Sequence, residues 1–245
     1  RRLATATVSI LVLGAVAWLS GSVVVDTLFV LAVAPSLYIA WHFHHADKYK
    51  TESLTLLLGT FGLGAAFAFV AALIEAVFPL PKPGSFTFLY FLFSVALVEE
   101  LAKLAAVRVF AYRSAHFDET MDGVIFGITA AMGFATVENI MYVFNDGAAV
   151  ALYRAFVTVP GHAFYGAIMG YYLGQAKMYH KPSLAVWGLL IAVFLHGLFD
   201  ELGASLGTIS LVTLPALVWI IYFTIVKKEI AKAQSESLFA PKAGG

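Results

Sequence analysis

The sequence predicts an all-α fold, a polytopic transmembrane helical bundle of about eight spans with both termini cytoplasmic. Three observations lead there. Of the 245 residues, 61% are hydrophobic and only 12% are charged, roughly half the charged share of a soluble domain. Apolar runs of about 20 residues, the length that crosses a hydrocarbon core, recur along the chain. Most of the fifteen Lys and Arg fall in alternate connections, as loops facing the cytoplasm require. The net charge is zero, so the chain carries no basic footprint for nucleic acid. It has no cysteine, which excludes disulfides, thiol nucleophiles and thiolate metal sites.

In chain order, the expected spans are residues 3–22, 24–43, 54–78, 86–107, 121–145, 150–176, 184–202 and 208–226. Arg1-Arg2 before an apolar run imitates a signal peptide, but the run through Val25 is long for one, so a retained span is expected. Basic residues follow every second span: Lys48 and Lys50, Arg108 and Arg113, Lys177 and Lys181, then Lys227, Lys228, Lys232 and Lys242. Lys82 and Arg154 fall on the other side, and Lys103 lies within a span. One membrane domain is expected over 1–228, with its chemistry in about 86–202, followed by a disordered cytoplasmic tail over 229–245. Residues 79–84, with three prolines and a glycine, read as a rigid extracytoplasmic turn. Asp118 or Thr120 is the expected cap of the fifth span, with acidic residues on the positive end of the helix dipole. Gly166, Gly170 and Gly174 make a small-residue stripe for close helix contact. His42, His44 and His45, beside Asp47 and Lys48, read as an interfacial helix end rather than a metal tract.

The ionisable residues inside the spans carry the function. Glu99 and Glu100 sit side by side within an apolar stretch, where charge costs a few kcal/mol and marks a functional site by default. Their helical positions differ by about 100°, so the two carboxylates are not expected to face one point. Lys103 lies four residues after Glu99 and three after Glu100, within reach of either. Glu138-Asn139 lies in span five, His162 in span six, and His196 and Asp200, four apart on one face, in span seven. Without water each group needs a partner, and convergence on one cavity satisfies them all. At about 1.5 Å per residue, Glu99 and His162 lie about 20 and 18 Å from the outer edge, and Glu138 and His196 about 11 and 9 Å. The set thus occupies the middle and outer half of the bilayer.

Two chemistries fit such a cavity. A glutamate in a low-dielectric site acts as general base, while His162 and His196 donate to an oxyanion. Alternatively, His162 and His196 with a carboxylate, Glu138 and Asp200 being candidates and Glu99 another, form a two-histidine, one-carboxylate zinc site that lowers the pKa of a water. No His-Glu-x-x-His helix is present, so any metal site is assembled from separate spans. Chains of Glu and His also form proton relays, so a proton-coupled transporter is an alternative. Against it, the Pro160-Gly161 interruption has no counterpart in the other half of the chain.

Four motifs in order, Glu-Glu-x-x-Lys at 99–103, Phe-x-x-x-Glu-Asn at 134–139, the His162 motif and His-x-x-x-Asp at 196–200, resemble the PrsW family of intramembrane proteases, within the superfamily of CAAX-processing and bacteriocin-associated (CPBP) membrane proteases. Asp47-Lys48 and the stretch from Asp118-Glu119 to Asp122-Gly123 also look like this family. The resemblance covers most of the chain. It implies a multi-pass protein of a prokaryotic cytoplasmic membrane that cuts a transmembrane protein near its extracytoplasmic side, anti-sigma-factor substrates included. It further implies that Glu99, Glu100, His162 and His196 are catalytic or metal-binding, with Lys103, Glu138, Asn139 and Asp200 in support. In related CAAX proteases a glutamate of the paired motif activates water. Here Asp200 replaces Asn and Glu138 replaces His, which tilts the site toward a divalent metal or a shared proton. The superfamily also resembles a non-catalytic membrane scaffold, so the fold alone does not establish proteolysis.

Overall fold

The structure, a computed structural model, describes residues 22–79, 81 and 87–240, and the described residues form helices and connections without a strand. Helix α1 is Val23–His44, α2 is Leu54–Glu75 and α3 runs over 88–111. Then come α4 Thr120–Asp146, α5 Ala148–Phe156, α6 Thr158–Met178, α7 Pro182–Ser205 and α8 Gly207–Ser235. Five of these, α1, α2, α4, α7 and α8, are long and apolar enough to cross a membrane. Helix α3 combines Glu99, Glu100 and Lys103 within one segment, and that charge separates it from the apolar five. The expected first span apart from Ser22, the 79–84 turn apart from Pro79 and Pro81, and the last five residues lie outside the described residues.

Helix α4 is the axis of the bundle. It is buried without interruption from Thr120 to Val137, whereas a helix at the lipid boundary buries one stripe. Its neighbours reach it because glycines remove the side chains between backbones. On one side Gly123 and Gly127 of α4 meet Gly166, Gly170 and Gly174 of α6. On the other, Gly64 of α2 lies against the Ala130 carbonyl and Gly133 against that of Phe61. The predicted stripe is thus a packing surface. A Cβ on Gly170 overlaps the backbone oxygen of Gly123, whereas one on Gly62 of α2 meets nothing within 4 Å. Gly170→Ala is therefore expected to cost about 1–3 kcal/mol through overpacking, while Gly62→Ala leaves stability level or raises it. Thermal unfolding of the two variants in detergent measures the contrast.

Sequence logic explains most helix ends. Ser22 caps α1, its side chain accepting from Val25 N. The cap of α4 is Glu119, between the two expected positions. Its carboxylate and that of Asp122 form a reciprocal capping box, and Asp118 N and Glu119 N both donate to Asp122 Oδ2. Pro182 starts α7, where a missing N–H costs nothing. Gly147 turns α4 into α5 with φ of 84°, a conformation that favours glycine.

Three features depart from the expected spans. The sixth is two helices, broken at Val157. Pro160 lacks an N–H, and its ring would strike the carbonyl of Phe156 in a continuous helix, so α5 ends on Phe156. Helix α3 contains wide, π-type turns at Phe91–Ala96 and Val107–Ala111, on either side of its glutamates; such turns often accompany functional sites. The last helix continues to Ser235, where an irregular tail was expected from 229; Gln234 Nε2 donates to Ala46 O at 2.6 Å and holds it to the α1–α2 connection. The histidines His42, His44 and His45 remain at the end of α1, where His45 Nδ1 meets Trp41 O at 2.8 Å. Outside the spans, burial pushes the Glu52 carboxyl up to about 8, with Asp122 adding to the shift, and burial also raises that of Asp47.

Candidate active site

Each group of the site arrives on its own helix. Helix α3 brings Glu99, Glu100 and Lys103, α4 brings Glu138 and Asn139, α6 brings His162, and α7 brings His196 and Asp200. The break before Pro160 places His162 in the second turn of α6, at its buried N-terminal end. Spacing does the rest on α3, because residues three and four apart share a face.

Lys103 is the centre of the arrangement and is fully buried. Its ammonium lies 3.1 Å from Glu99 Oε2, 2.7 Å from Glu100 Oε1 and 2.9 Å from His162 Nδ1, above the ring of Phe134. His196 Nδ1 lies 2.9 Å from Glu100 Oε1, and its Nε2 lies 3.9 Å from Glu99 Oε2 and 3.5 Å from Asp200 Oδ2. His162 Nε2 lies 2.8 Å from Glu138 Oε2. The two adjacent glutamates therefore do share partners, contrary to the separation expected from 100°. Lys103, one turn further on, sits between them and faces both.

These bonds set the protons. Lys103 has only hydrogens to give, so His162 Nδ1 accepts, and the ring's own proton sits on Nε2 facing Glu138. Glu100 accepts from His196 Nδ1, which turns Nε2 toward Glu99 and Asp200. A carboxylate that fixes the far nitrogen of a histidine is the arrangement found behind metal-ligating histidines.

Glu99, Glu138, His162, His196 and Asp200 line one cavity of about 610 Å³. A second, about 250 Å³, shares Glu99 and Glu138 with the first. Glu100 and Lys103 stand behind this wall rather than on it. Asn139 also lies off the cavity: its Nδ2 donates to Ala32 O at 3.2 Å, and its Oδ1 accepts from Arg154 Nε at 2.6 Å. Arg154 Nη2 lies 3.6 Å from Glu138, so the pair Glu138-Asn139 and Arg154 interlock.

Two cavity residues went unforeseen. Glu75, at the end of α2, lines both cavities, and its buried Oε1 has no hydrogen-bond partner. The signal for it was present, an acid within an apolar run. Tyr165 of α6 stacks on His196 at 5.3 Å, and its buried hydroxyl has no partner. No spacing rule distinguishes it from an ordinary core aromatic.

The donors can hold a metal. One ligand atom each from Glu99, His162 and His196 lie within 4.8 Å of one another. Two imidazoles and a carboxylate make a catalytic zinc set with an open position. His196 would join through Nε2, the nitrogen that faces Glu99. His162 joins only by giving up its Nε2 proton and its contact with Glu138. The carboxylate of this group is Glu99; Glu138 and Asp200 approach the histidines from outside it.

A family model described as PrsW family intramembrane metalloprotease matches residues 52–226. The chain is 31% identical over 204 residues to a protein named Protease PrsW from Bacillus subtilis, covering 82% of this chain and 94% of that one. It is 36% identical over 184 residues to a Protease PrsW from Halalkalibacterium halodurans, covering 72% and 83%. The one from Clostridioides difficile is 33% identical over 186 residues, covering 71% and 77%. No solved structure matches the chain.

Proposed function

The chain belongs to the PrsW family of intramembrane proteases, and from that premise we propose that its peptidase site is the cavity walled by Glu99, His162 and His196. It is an integral membrane peptidase, and its matched relatives are bacterial. In this reading the membrane domain spans 1–228 with eight crossings and both ends in the cytoplasm. The substrate is a membrane protein cut near the extracytoplasmic side.

The observation that carries the site assignment is the position of Glu99. It is 4% exposed, faces the cavity, and is anchored by Lys103 at 3.1 Å. In the reaction Glu99 takes the proton of the attacking water as the oxygen adds to the scissile carbonyl. Tyr165, with a free hydroxyl in the same cavity, donates to the developing oxyanion, while His162, held between Lys103 and Glu138, fixes the cavity wall beside it. Glu99 then returns the proton to the leaving amine, so one water is consumed and two termini form. Glu100 orients His196, and Lys103 holds both glutamates in register. Bound by Glu99, His162 and His196, a divalent ion such as zinc would add Lewis-acid polarisation and a more acidic water. Glu138 and Asp200 fix the histidines, and Glu75 adds a third carboxylate to the acidic rim.

Reconstitution into liposomes with a single-span peptide substrate tests the assignment, with fragments read by mass spectrometry. Cleavage into two fragments is expected. Chelator sensitivity, reversed by stoichiometric metal in elemental analysis, assigns the metal route. Cleavage by metal-free protein assigns the glutamate route. Proton flux without any cleavage would replace this reading with transport.

A further inference from the structure

A second group of carboxylates lies at the opposite end of α4 from the cavity. It combines Asp47, Lys50 and Glu52 of the α1–α2 connection with Asp118, Glu119 and Asp122 at the start of α4. The sixteen residues from Asp122 to Glu138 separate the two groups by about 24 Å along the helix. One oxygen each from Asp47, Glu119 and Asp122 lie within 4.8 Å of one another. Three of these five carboxylates pair with one ammonium: Lys50 Nζ lies 2.8 Å from Asp118, and 3.0 Å from both Asp122 and Glu52.

That single cation does not complete the set. Glu119 is 2% exposed, and while its Oε2 accepts from Ser237, its Oε1 is buried with no hydrogen-bond partner. Asp47 Oδ1 accepts from Tyr49 N and Lys50 N, yet Asp47 Oδ2 is buried and unpartnered as well. Glu52 is paired, its Oε1 lying 3.0 Å from Lys50 Nζ, so the unmet acceptors are those of Glu119 and Asp47. Buried acceptors without donors are costly, and several converging from separate segments indicate a missing positive charge rather than a packing accident.

We propose that Asp47, Glu119 and Asp122 bind a hard divalent cation of the calcium or magnesium class. The donors are oxygens only, which suits these ions and disfavours zinc or copper. A span of up to 4.8 Å equals about twice a 2.4 Å calcium–oxygen bond, whereas magnesium, at about 2.1 Å, draws the ligands slightly inward. The ion joins the α1–α2 connection to the start of α4. Through Ser237 on Glu119, it also secures the chain beyond α8. It is thus a structural pin for the end of the bundle remote from the cavity.

The test uses the full chain in detergent, freed of metal and titrated with Ca²⁺ or Mg²⁺ alone. Thermal unfolding and Tb³⁺ luminescence, sensitised by the nearby Tyr49, are the readouts. A saturable rise in Tm with either ion is expected, along with Tb³⁺ luminescence that the same ion displaces. Asp47→Asn and Glu119→Gln are each expected to weaken apparent affinity at least tenfold. Asp47→Asn spares the capping box and so controls for misfolding. Glu99→Gln is expected to leave both signals intact. The proposal is overturned if the wild-type chain shows no saturable response to either ion. It is equally overturned if both carboxylate variants respond as wild type, or if Glu99→Gln removes the response.

Discussion

Glu99→Gln is expected to abolish cleavage and to leave an inserted, folded protein. Glutamine has the shape of glutamate but can neither take a proton from water nor serve as an anionic ligand. Loss of a general base alone costs about 100- to 10,000-fold. If Glu99 also helps hold a metal, the loss is complete. The fold survives because Lys103 keeps Glu100 at 2.7 Å and His162 at 2.9 Å. The comparison variant is Glu100→Gln, whose carboxylate is fully buried behind the wall and touches His196 rather than the cavity. It acts through the orientation of His196 and is expected to retain measurable turnover with a displaced imidazole signal in NMR. Both are read from initial cleavage rates at matched protein, with thermal unfolding as the folding control. Undiminished turnover by the Glu99 variant would remove it from the mechanism.

Lys103→Met is expected to cause the largest loss of stability of any single change in the site. The side chain is completely buried and partners two carboxylates and one imidazole. Breaking a buried charge pair from one side leaves the other charge uncompensated, at a cost of about 3–5 kcal/mol. Methionine has comparable length and keeps the contact with Phe134, so cavity formation adds little. Adding Glu100→Gln to Lys103→Met removes one of the stranded charges and should recover part of the loss. Denaturation in mixed micelles measures both. If the single variant unfolds as wild type does, the central role of the ammonium is wrong.

Much of this site was legible before any tertiary information. Charge is expensive in hydrocarbon, so Glu99, Glu100, Lys103, Glu138, His162, His196 and Asp200 stood out against their surroundings. The i+3 and i+4 relations of Lys103 to its glutamates follow from helical geometry alone, and both pairs form. Residues that look ordinary in sequence were harder. Tyr165 is one aromatic among many in an apolar chain, and only its place against His196 sets it apart. Glu75 did carry a signal, an acid within an apolar run close to its end, but only the approach of α2 to α3 and α4 shows that it turns inward to the cavity. Asn139 is the converse case. Its motif neighbour Glu138 faces the cavity, yet one residue's rotation takes Asn139 to Ala32 and Arg154.

The sequence by itself determined the helical, membrane-embedded class, the order of the helices and the groups available for chemistry, because hydropathy and helical period are properties of local stretches. Tertiary structure decided which oxygen of which glutamate meets which nitrogen. That choice depends on how deeply and at what rotation the helices pack, and the glycine contacts of α4 with α2 and α6 govern both. Those contacts bring His162 of α6 to Lys103 and Glu138, and with α7 alongside they make Glu99 the carboxylate that stands with the two histidines.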